Sequence, residues 1–333
     1  MGGRHVIAGP PFLRYRRAAV TAGSVDVVSL GVASAPATET VFTGERDPPH
    51  MIVSGSTSQA FSAALADTTG RDLAAVEYDR FPDGELQATV PEFSGEHCVV
   101  VGSTASSDAH LELLQLQDAV REAGAREVTT VLPYMGYARQ DRAFSAGEPV
   151  SARAVARAIS TGTDRVLTVN PHETSVCDFF TVPADPVDAA GRLAEPLPDD
   201  LADPLFLSPD EGAIDLATTA RNAYGRGATD YFEKERDYDT GAVEVEPSDA
   251  AVADRDVVLV DDIVATGSTM SESVDVLTDR DATRVFVTCV HPMLAAAART
   301  KLERAGTTAV FGTDTIERSV SAVSAAPAVA DRL

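Results

Sequence analysis

The sequence predicts an α/β fold of two similar units, each a mostly parallel sheet flanked by helices. Short apolar strands alternate with helical stretches from Met51 onward, and this alternation is typical of parallel sheets with crossover helices. The segments 98–134 and 257–291 share one order of strand, Ser/Thr/Gly loop, helix and strand, which suggests a duplicated unit. A chain of 333 residues is long enough for two such units.

The first stretch of the chain is set apart by its charge. Residues 1–50 carry five Arg against four acidic residues, together with two Pro-Pro pairs and weak periodicity. We therefore expect a disordered extension, or a stretch upstream of the true translation start.

The remaining elements follow from hydrophobic periodicity and turn residues. Continuous apolar runs begin at Met51, Cys98 and Val257, and each ends in small polar residues, as expected of buried parallel strands. Stretches of helical period follow these loops. We also predict strands at 74–78, 128–134, 165–169 and 284–291, and helices at 58–67, 110–123 and 269–278.

The charge composition excludes several classes of partner. Acidic residues outnumber basic ones by 51 to 27, giving a net charge of −24, and only Lys234 and Lys301 are lysines. This composition resembles that of proteins adapted to high salt, where screening suppresses self-repulsion. A negative field disfavours nucleic acid and acidic membranes, and no apolar run could cross a bilayer. Three Cys without disulfide or metal spacing indicate reduced thiols in a cytoplasmic protein.

The strongest motif is the run 258–269, VLVDDIVATGST. An apolar strand leads into Asp261 and Asp262, and a loop of small residues then opens a helix. Gly267 allows the backbone to approach an anion, while the amides and hydroxyls of this loop can surround a phosphate at the helix N-terminus. The two carboxylates can accept hydrogen bonds from vicinal ribose hydroxyls. A strand ending in a solvated acidic turn is the bland alternative.

Five further segments carry polar residues at strand ends or in loops. Taken locally, the Pro-Asp-Gly sequence at 82–84 is only a tight turn, a lone His such as His172 is usually structural, and residues 230–239 could be a solvated loop. The segments are RFPDGE (80–85), PYMGYARQDR (133–142), TVNPHE (168–173), LSPDEG (207–212) and DYFEKERDYD (230–239).

Together with the 258–269 loop, these segments resemble the ribose-phosphate diphosphokinases. That loop alone is shared with type I phosphoribosyltransferases, whereas the other five segments favour the diphosphokinases. The Asn-Pro-His sequence and the acid-free loop are most similar to archaeal members. Bacterial members carry Asp at the position of Asn170, so a carboxylate role there is in question.

The resemblance implies two type I phosphoribosyltransferase-like domains and an organisation along the chain. An ATP-binding domain would span 51–187 and a ribose 5-phosphate-binding domain 188–318. The segment 319–333 would pack back on the first domain. Family members form homo-oligomers, either dimers, tetramers or hexamers, and the sequence does not choose among these.

The resemblance also implies roles for individual residues. ATP would contact Asp83, Gly84 and Glu85 of a neighbouring subunit, together with Arg139 and Gln140. Mg²⁺ would be bound by His172 and Asp210. Lys234 and Arg236 would stabilise the transferred diphosphate as catalytic residues of a flexible loop. Ribose 5-phosphate would be held by Arg236, Asp261, Asp262, Ala265, Thr266, Gly267, Ser268 and Thr269.

Two alternatives remain open at the level of sequence. A phosphoribosyltransferase would share the 258–269 loop, but it does not explain the YARQDR run. A catalytically inactive regulatory homologue would be expected to have lost residues of either the Lys-x-Arg pair or the ribose loop. Both the pair and the loop are intact in this sequence.

Overall fold

The computed structural model describes residues 50–236, 243–247 and 251–333, with only the backbone for residues 233–236 and 243–247. The extension predicted for residues 1–50 therefore lies outside the described residues, apart from His50. No helix in the described part of the chain is long and apolar enough to span a membrane.

The N-terminal half, residues 50–187, contains one parallel sheet. Its strand order is β2-β1-β5-β6-β7-β8, and every neighbouring pair is parallel. The strands of this half are β1 (His50–Ser54), β2 (Asp72–Leu73), β3 (Glu77–Arg80), β4 (Leu86–Thr89), β5 (His97–Val101), β6 (Glu127–Leu132), β7 (Arg165–Val169) and β8 (Ala184–Val187).

The strand predicted at 74–78 is wrong for residues 74–76, and its last two residues begin β3 outside the main sheet. The chain makes only the two-residue strand β2 in the sheet and then leaves it to form the separate hairpin β3–β4. Pro82, Asp83 and Gly84 form the tight turn that reverses the chain, with Gly84 at φ +96°. A turn of this kind joins antiparallel strands, whereas the parallel sheet needs long crossovers.

The C-terminal half, residues 205–333, repeats the arrangement. Its sheet has the order β11-β10-β9-β12-β13-β14-β15 and is parallel except for the pair β10–β11. The consecutive strands β1-β5-β6-β7-β8 thus correspond to β9-β12-β13-β14-β15, which confirms the predicted pair of similar units. The strands are β9 (Leu205–Ser208), β10 (Ala228–Arg236), β11 (Val243–Pro247), β12 (Asp256–Ile263), β13 (Arg284–His291), β14 (Ala309–Thr313) and β15 (Ser321–Val323).

Helices cover the faces of both sheets. One apolar cluster lies between the halves and joins Ile52 of β1 to Phe206 of β9 and Val258 of β12, all fully buried. The α-helices of the described residues are α1 (Gln59–Thr69), α2 (Ser107–Glu122), α3 (Ser151–Ile159), α4 (Ile214–Tyr224), α5 (Ser268–Asp279), α6 (Ala298–Arg304) and α7 (Ala326–Ala330), and short 3₁₀ turns span Thr174–Phe179, Ala190–Ala194 and Glu211–Ala213.

Helix α2 begins three residues before the predicted start. The side chain of Ser106 accepts a hydrogen bond from the amide of Ala109 at 3.1 Å, so Ser106 is the N-cap. A Ser-Ser-Asp stretch has no apolar periodicity, but its polar side chains are those that cap and stabilise a helix N-terminus.

The C-terminal end of the chain packs against the N-terminal half. Helix α7 contacts α1, Arg71 donates to the carbonyl of Leu333, and Arg165 donates to the carbonyl of Arg332 at 3.0 Å. Strand β15, in contrast, stays in the C-terminal sheet.

Candidate active site

A cavity of about 970 Å³ opens at the carboxyl ends of strands from both halves. Ligands of open α/β sheets bind at this edge. The N-terminal half contributes the loop after β7, and the C-terminal half contributes the loops after β9 and β12. Ten predicted site residues line the cavity: Arg139, His172, Asp210, Asp261, Asp262, Ala265, Thr266, Gly267, Ser268 and Thr269.

The loop between β12 and α5 has the geometry of an anion site. Gly267 is the N-cap of α5 and is left-handed, with φ 72°. A Cβ on Gly267 would lie 3.1 Å from both Cα and O of Ala298, so a larger residue meets strain and crowding together. The first amides of α5, like those of any helix, have no partner within the helix. They belong to the helix end that lines the cavity, where they favour a negative charge.

Asp261 and Asp262 lie side by side at the end of β12. The amide of Asp262 donates to Oδ1 of Asp261 at 2.9 Å. Burial, and then the charge of Asp262, raise the pKa of Asp261 well above its usual range. Burial also raises the pKa of Asp262, but the hydrogen bond and charge of His172, together with a hydrogen bond from Asp261, give a net lowering. The pair thus favours a single negative charge, which gives a diol both a donor and an acceptor.

A hydrogen bond between His172 and Asp262 joins the two halves across the cavity. Nδ1 of His172 lies 2.7 Å from Oδ2 of Asp262. This hydrogen bond raises the pKa of His172, although burial opposes the rise. With Nδ1 held by a carboxylate, the ring presents Nε2 as its second polar atom.

Asn170 occupies the position where a carboxylate was in question. Its φ is 33°, a left-handed conformation that Asn tolerates better than most residues. Its Nδ2 donates to Oδ1 of Asp188 at 2.8 Å, and its Oδ1 accepts from the amide of Ala189 at 2.8 Å. The side chain of Asn170 therefore ties two loops together.

His291 is a residue of this site that the sequence analysis missed. It ends β13, is 3% exposed, and its Nε2 donates to the main-chain carbonyl of Asn170 at 3.0 Å. Its Nδ1 lies 2.9 Å from Oγ1 of Thr315. Burial lowers the pKa of His291, which favours the neutral ring. The available signal was a single His at the end of the apolar run RVFVTCVH.

Asp210 is held at the start of the loop that follows β9. Its main-chain carbonyl accepts from Oγ of Ser208 at 2.7 Å, and its side chain lies close enough to Asp261 to raise the pKa of that residue further. Asp210 therefore adds a carboxylate close to the Asp261–Asp262 pair.

The remaining predicted ATP residues do not line this cavity. Gln140 follows Arg139, but its Oε1 accepts from the hydroxyl of Ser151 at the start of α3. Asp83, Gly84 and Glu85 form the exposed turn of the β3–β4 hairpin, where Oδ1 of Asp83 accepts from the amide of Glu85 at 3.2 Å.

Lys234 and Arg236 are described by their backbone alone. The segment predicted as a flexible loop, 230–239, is a strand as far as Arg236, and residues 237–239 lie outside the described residues. Strand β9 ends at Ser208, opposite Tyr231, and β10 continues beyond it in register with β11. Lys234 and Arg236 thus stand past the carboxyl end of β9, at the edge where the cavity opens.

Comparisons with known proteins agree on one family. Residues 50–162 match the family described as the N-terminal domain of ribose phosphate pyrophosphokinase, and residues 187–326 match the phosphoribosyl transferase domain. The ribose-phosphate pyrophosphokinase of Halobacterium salinarum is 64% identical over 284 residues, covering 85% of this chain and all of the relative. That of Methanosarcina mazei is 41% identical over 284 residues, covering 85% of this chain and 94% of the relative.

A solved structure extends the similarity to the fold. The phosphoribosylpyrophosphate synthetase of Mycobacterium smegmatis superimposes with a TM-score of 0.73 at 25% identity, covering 85% of this chain and 97% of that structure. The similarity therefore spans both sheets of the described unit.

Proposed function

The chain belongs to the ribose-phosphate pyrophosphokinase family, and from that premise we propose how its residues perform the family's reaction. The enzyme transfers the β,γ-diphosphate of ATP to the C1 hydroxyl of ribose 5-phosphate. The products are AMP and 5-phospho-α-D-ribose 1-diphosphate, a precursor for nucleotide biosynthesis.

Ribose 5-phosphate binds at the end of β12. Its phosphate sits in the loop Ala265–Thr269, on the amides and hydroxyls at the N-terminus of α5. Its 2- and 3-hydroxyls bond to Asp261 and Asp262. The left-handed Gly267 and the shared charge of the two carboxylates support this assignment.

ATP binds on the N-terminal side of the cavity, with its phosphates toward Arg139. Gln140 contacts the nucleotide after releasing Ser151. Asp83, Gly84 and Glu85 of a neighbouring subunit complete the ATP site, so the enzyme works as a homo-oligomer. Two exposed apolar residues of that hairpin segment, Tyr78 and Phe81, support a face that a second subunit covers.

The residues at the cavity fit Mg²⁺. Among the described residues, no group of three or more His, Cys, Asp or Glu side chains is clustered to hold a metal. Mg²⁺ does not need such a group, because it usually takes one or two protein carboxylates and completes its shell with phosphate oxygens and water. Asp210 and Nε2 of His172 would hold it, with Asp262 orienting the ring. Bound Mg²⁺ would neutralise charge on the diphosphate.

The chain's own residues position the reaction and balance its charge. The anomeric oxygen attacks the β-phosphorus in line and gives up its proton to solvent. The bond from the β-phosphorus to the α,β-bridging oxygen breaks, and AMP leaves with that oxygen. Lys234 and Arg236 donate to the phosphoryl oxygens as charge moves during transfer. Their position beyond the end of β9 supports this role.

We assign ATP binding to residues 51–187 and ribose 5-phosphate binding to residues 188–318. Residues 319–333 form a segment that packs back on the first domain. The contact of α7 with α1 supports the last of these. The three free cysteines support a cytoplasmic enzyme.

One observation carries the proposal: residues from separate loops of both halves, from Arg139 to Thr269, converge on one cavity. The test is AMP release from ATP and ribose 5-phosphate, with Mg²⁺ in molar KCl. Turnover should stop on addition of EDTA and return with excess Mg²⁺. Diphosphate release from the ribosyl diphosphate and a purine would instead indicate a phosphoribosyltransferase. Nucleotide binding without turnover would indicate a regulatory homologue.

A further inference from the structure

Lys301, one of the two lysines of the chain, contacts the phosphate loop. It lies on α6, and its Nζ donates to Oγ of Ser268 at 2.8 Å. We propose that Lys301 is a positioning residue for ribose 5-phosphate, acting through the Ser268 hydroxyl. This inference rests on the proposed function, because it takes the loop Ala265–Thr269 as the phosphate site.

The hydrogen bond fixes the direction of the Ser268 hydroxyl. A serine hydroxyl has one hydrogen and two acceptor positions. Because Lys301 can only donate, Oγ of Ser268 is the acceptor, and its hydrogen is left to point elsewhere. Ser268 lines the cavity, so a bound phosphate oxygen can take that hydrogen. The ammonium charge also strengthens the donation, as in other charge-assisted hydrogen bonds.

Helix α6 is packed so that Lys301 stays beside the loop. The space over Gly267 is closed by Ala298, which is fully buried at the start of α6. Lys301 follows Ala298 by three residues and so lies on the same helix face. An acidic side chain of this helix, Glu303, accepts from Nε of Arg299 at 2.9 Å. Glu303 is therefore paired with Arg299, and Lys301 is hydrogen-bonded to Ser268.

The composition makes the choice of lysine informative. Lys and Arg together number 27, of which all but Lys234 and Lys301 are arginines. An ammonium is a compact charge that can touch one hydroxyl, whereas a guanidinium is a planar fork. Both lysines of this chain then serve the phosphorylated substrates.

The first experiment separates KM from kcat. For Lys301→Ala we expect the KM for ribose 5-phosphate to rise about tenfold, from loss of one charge-assisted contact at an exposed site. The kcat and the KM for ATP should stay within about twofold. Lys301→Arg should restore part of the loss. Arg304→Ala, which removes an exposed cation from the same helix, should leave both KM values unchanged.

The second experiment tests whether Lys301 acts through Ser268. If it does, Lys301→Ala should add less than about twofold to the KM of a Ser268→Ala variant, because contacting residues are coupled. Independent effects that multiply would overturn the proposal, and so would an unchanged KM in Lys301→Ala. Absence of AMP release from the wild-type enzyme would instead refute the proposed function. Calorimetric binding of ribose 5-phosphate would still report on Lys301 in that case.

Discussion

The loops that follow β5 and β12 occupy the same place in the two sheets, yet they are filled differently. After β12 the loop lines the cavity, and Thr266 and Thr269 are exposed. After β5, Ser103 and Thr104 are buried, and Oγ of Ser103 donates to the carbonyl of Thr315 from the other half. The loop of the second unit is open to a ligand, whereas the corresponding loop of the first helps to hold the two halves together.

The loop that follows β1 shows the same contrast with its counterpart after β9. Oε1 of Glu112 accepts from the amide of Ser56 at 2.6 Å, and Oε2 accepts from its hydroxyl at 2.8 Å. Glu112 is only 9% exposed and acts as a built-in anion. The loop after β9 instead presents Asp210 and Gly212 to the cavity. In the first unit the carboxylate of Glu112 thus takes the place that a bound anion could occupy, and this loop stabilises the fold instead of binding a ligand.

The largest expected difference is in stability, between two ion pairs at the amino ends of strands in the two sheets. Asp256 and Arg284 pair across β12–β13 with Asp256 fully buried, whereas His97 and Glu127 pair across β5–β6 near solvent. Arg284→Ala should lower the free energy of unfolding by about 3 kcal/mol, because it leaves a buried carboxylate unpaired. Glu127→Ala should cost no more than about 0.5 kcal/mol. Denaturant unfolding in molar KCl measures both, and equal losses would break the contrast.

The pH dependence sharpens the same comparison. Hydrogen bonding from Arg284 lowers the pKa of Asp256, although burial opposes it. The stabilisation is therefore fully present above the unfolded pKa of Asp, about 4, and is lost as the pH falls through the folded value. The cost of Arg284→Ala should shrink below about pH 4, where protonation removes the unpaired charge. Unfolding at pH 7 and pH 3 tests this, and a constant cost would contradict it.

Lys234 tests whether the chemistry belongs to the C-terminal half. Lys234→Ala should lower turnover by about 10²-fold, as expected for loss of a transition-state contact, while ribose 5-phosphate binding stays largely intact. AMP release at saturating substrate measures turnover, and calorimetry measures binding. Arg126→Ala in the N-terminal half removes an exposed cation and serves as the control. Near-normal turnover of the Lys234 variant would remove this residue from the mechanism.

His291 should have a smaller effect, because it acts through the loop that carries His172. His291→Ala removes the donor to the Asn170 carbonyl, so kcat/KM should fall about tenfold. His291→Gln keeps a donor and should recover part of that loss. His97→Ala, at the opposite edge of the N-terminal sheet, should leave kcat/KM unchanged. Equal kcat/KM values for wild type and His291→Ala would show that the Asn170 loop needs no such support.

The smallest effect is expected at Glu112. Glu112→Gln replaces one acceptor oxygen with a donor against Ser56, which should cost about 1 kcal/mol of stability. AMP release should be unchanged, because the loop that Glu112 fills is not one of those proposed to bind ATP or ribose 5-phosphate. Ser268→Ala should show the reverse, with a raised KM and unchanged stability. Thermal unfolding and AMP release should be measured on both variants. A tenfold loss of turnover in Glu112→Gln would contradict a purely stabilising role for the loop that Glu112 fills.

Much of this protein follows from its sequence. Continuous apolar runs and Ser/Thr/Gly loops are local signals, so the strands 165–169 and 284–291 were predicted with the bounds that β7 and β13 have. The loop around Gly267 was equally readable, because its glycine, hydroxyls and helix start are adjacent in the chain. The local pattern did not place residues 74–78 correctly, because the chain leaves the parallel sheet there and enters the separate β3–β4 hairpin.

Contacts between distant residues were decided only by the tertiary structure. His172 meets Asp262, His291 meets Asn170, and Lys301 meets Ser268 at separations that no local pattern encodes. The same holds for which copy of the unit stays open, because Glu112 and Thr315 fill the first one from elsewhere in the chain. Sequence specifies the residue types suited to a phosphate site. Packing of the two sheets determines which of those residues can reach one.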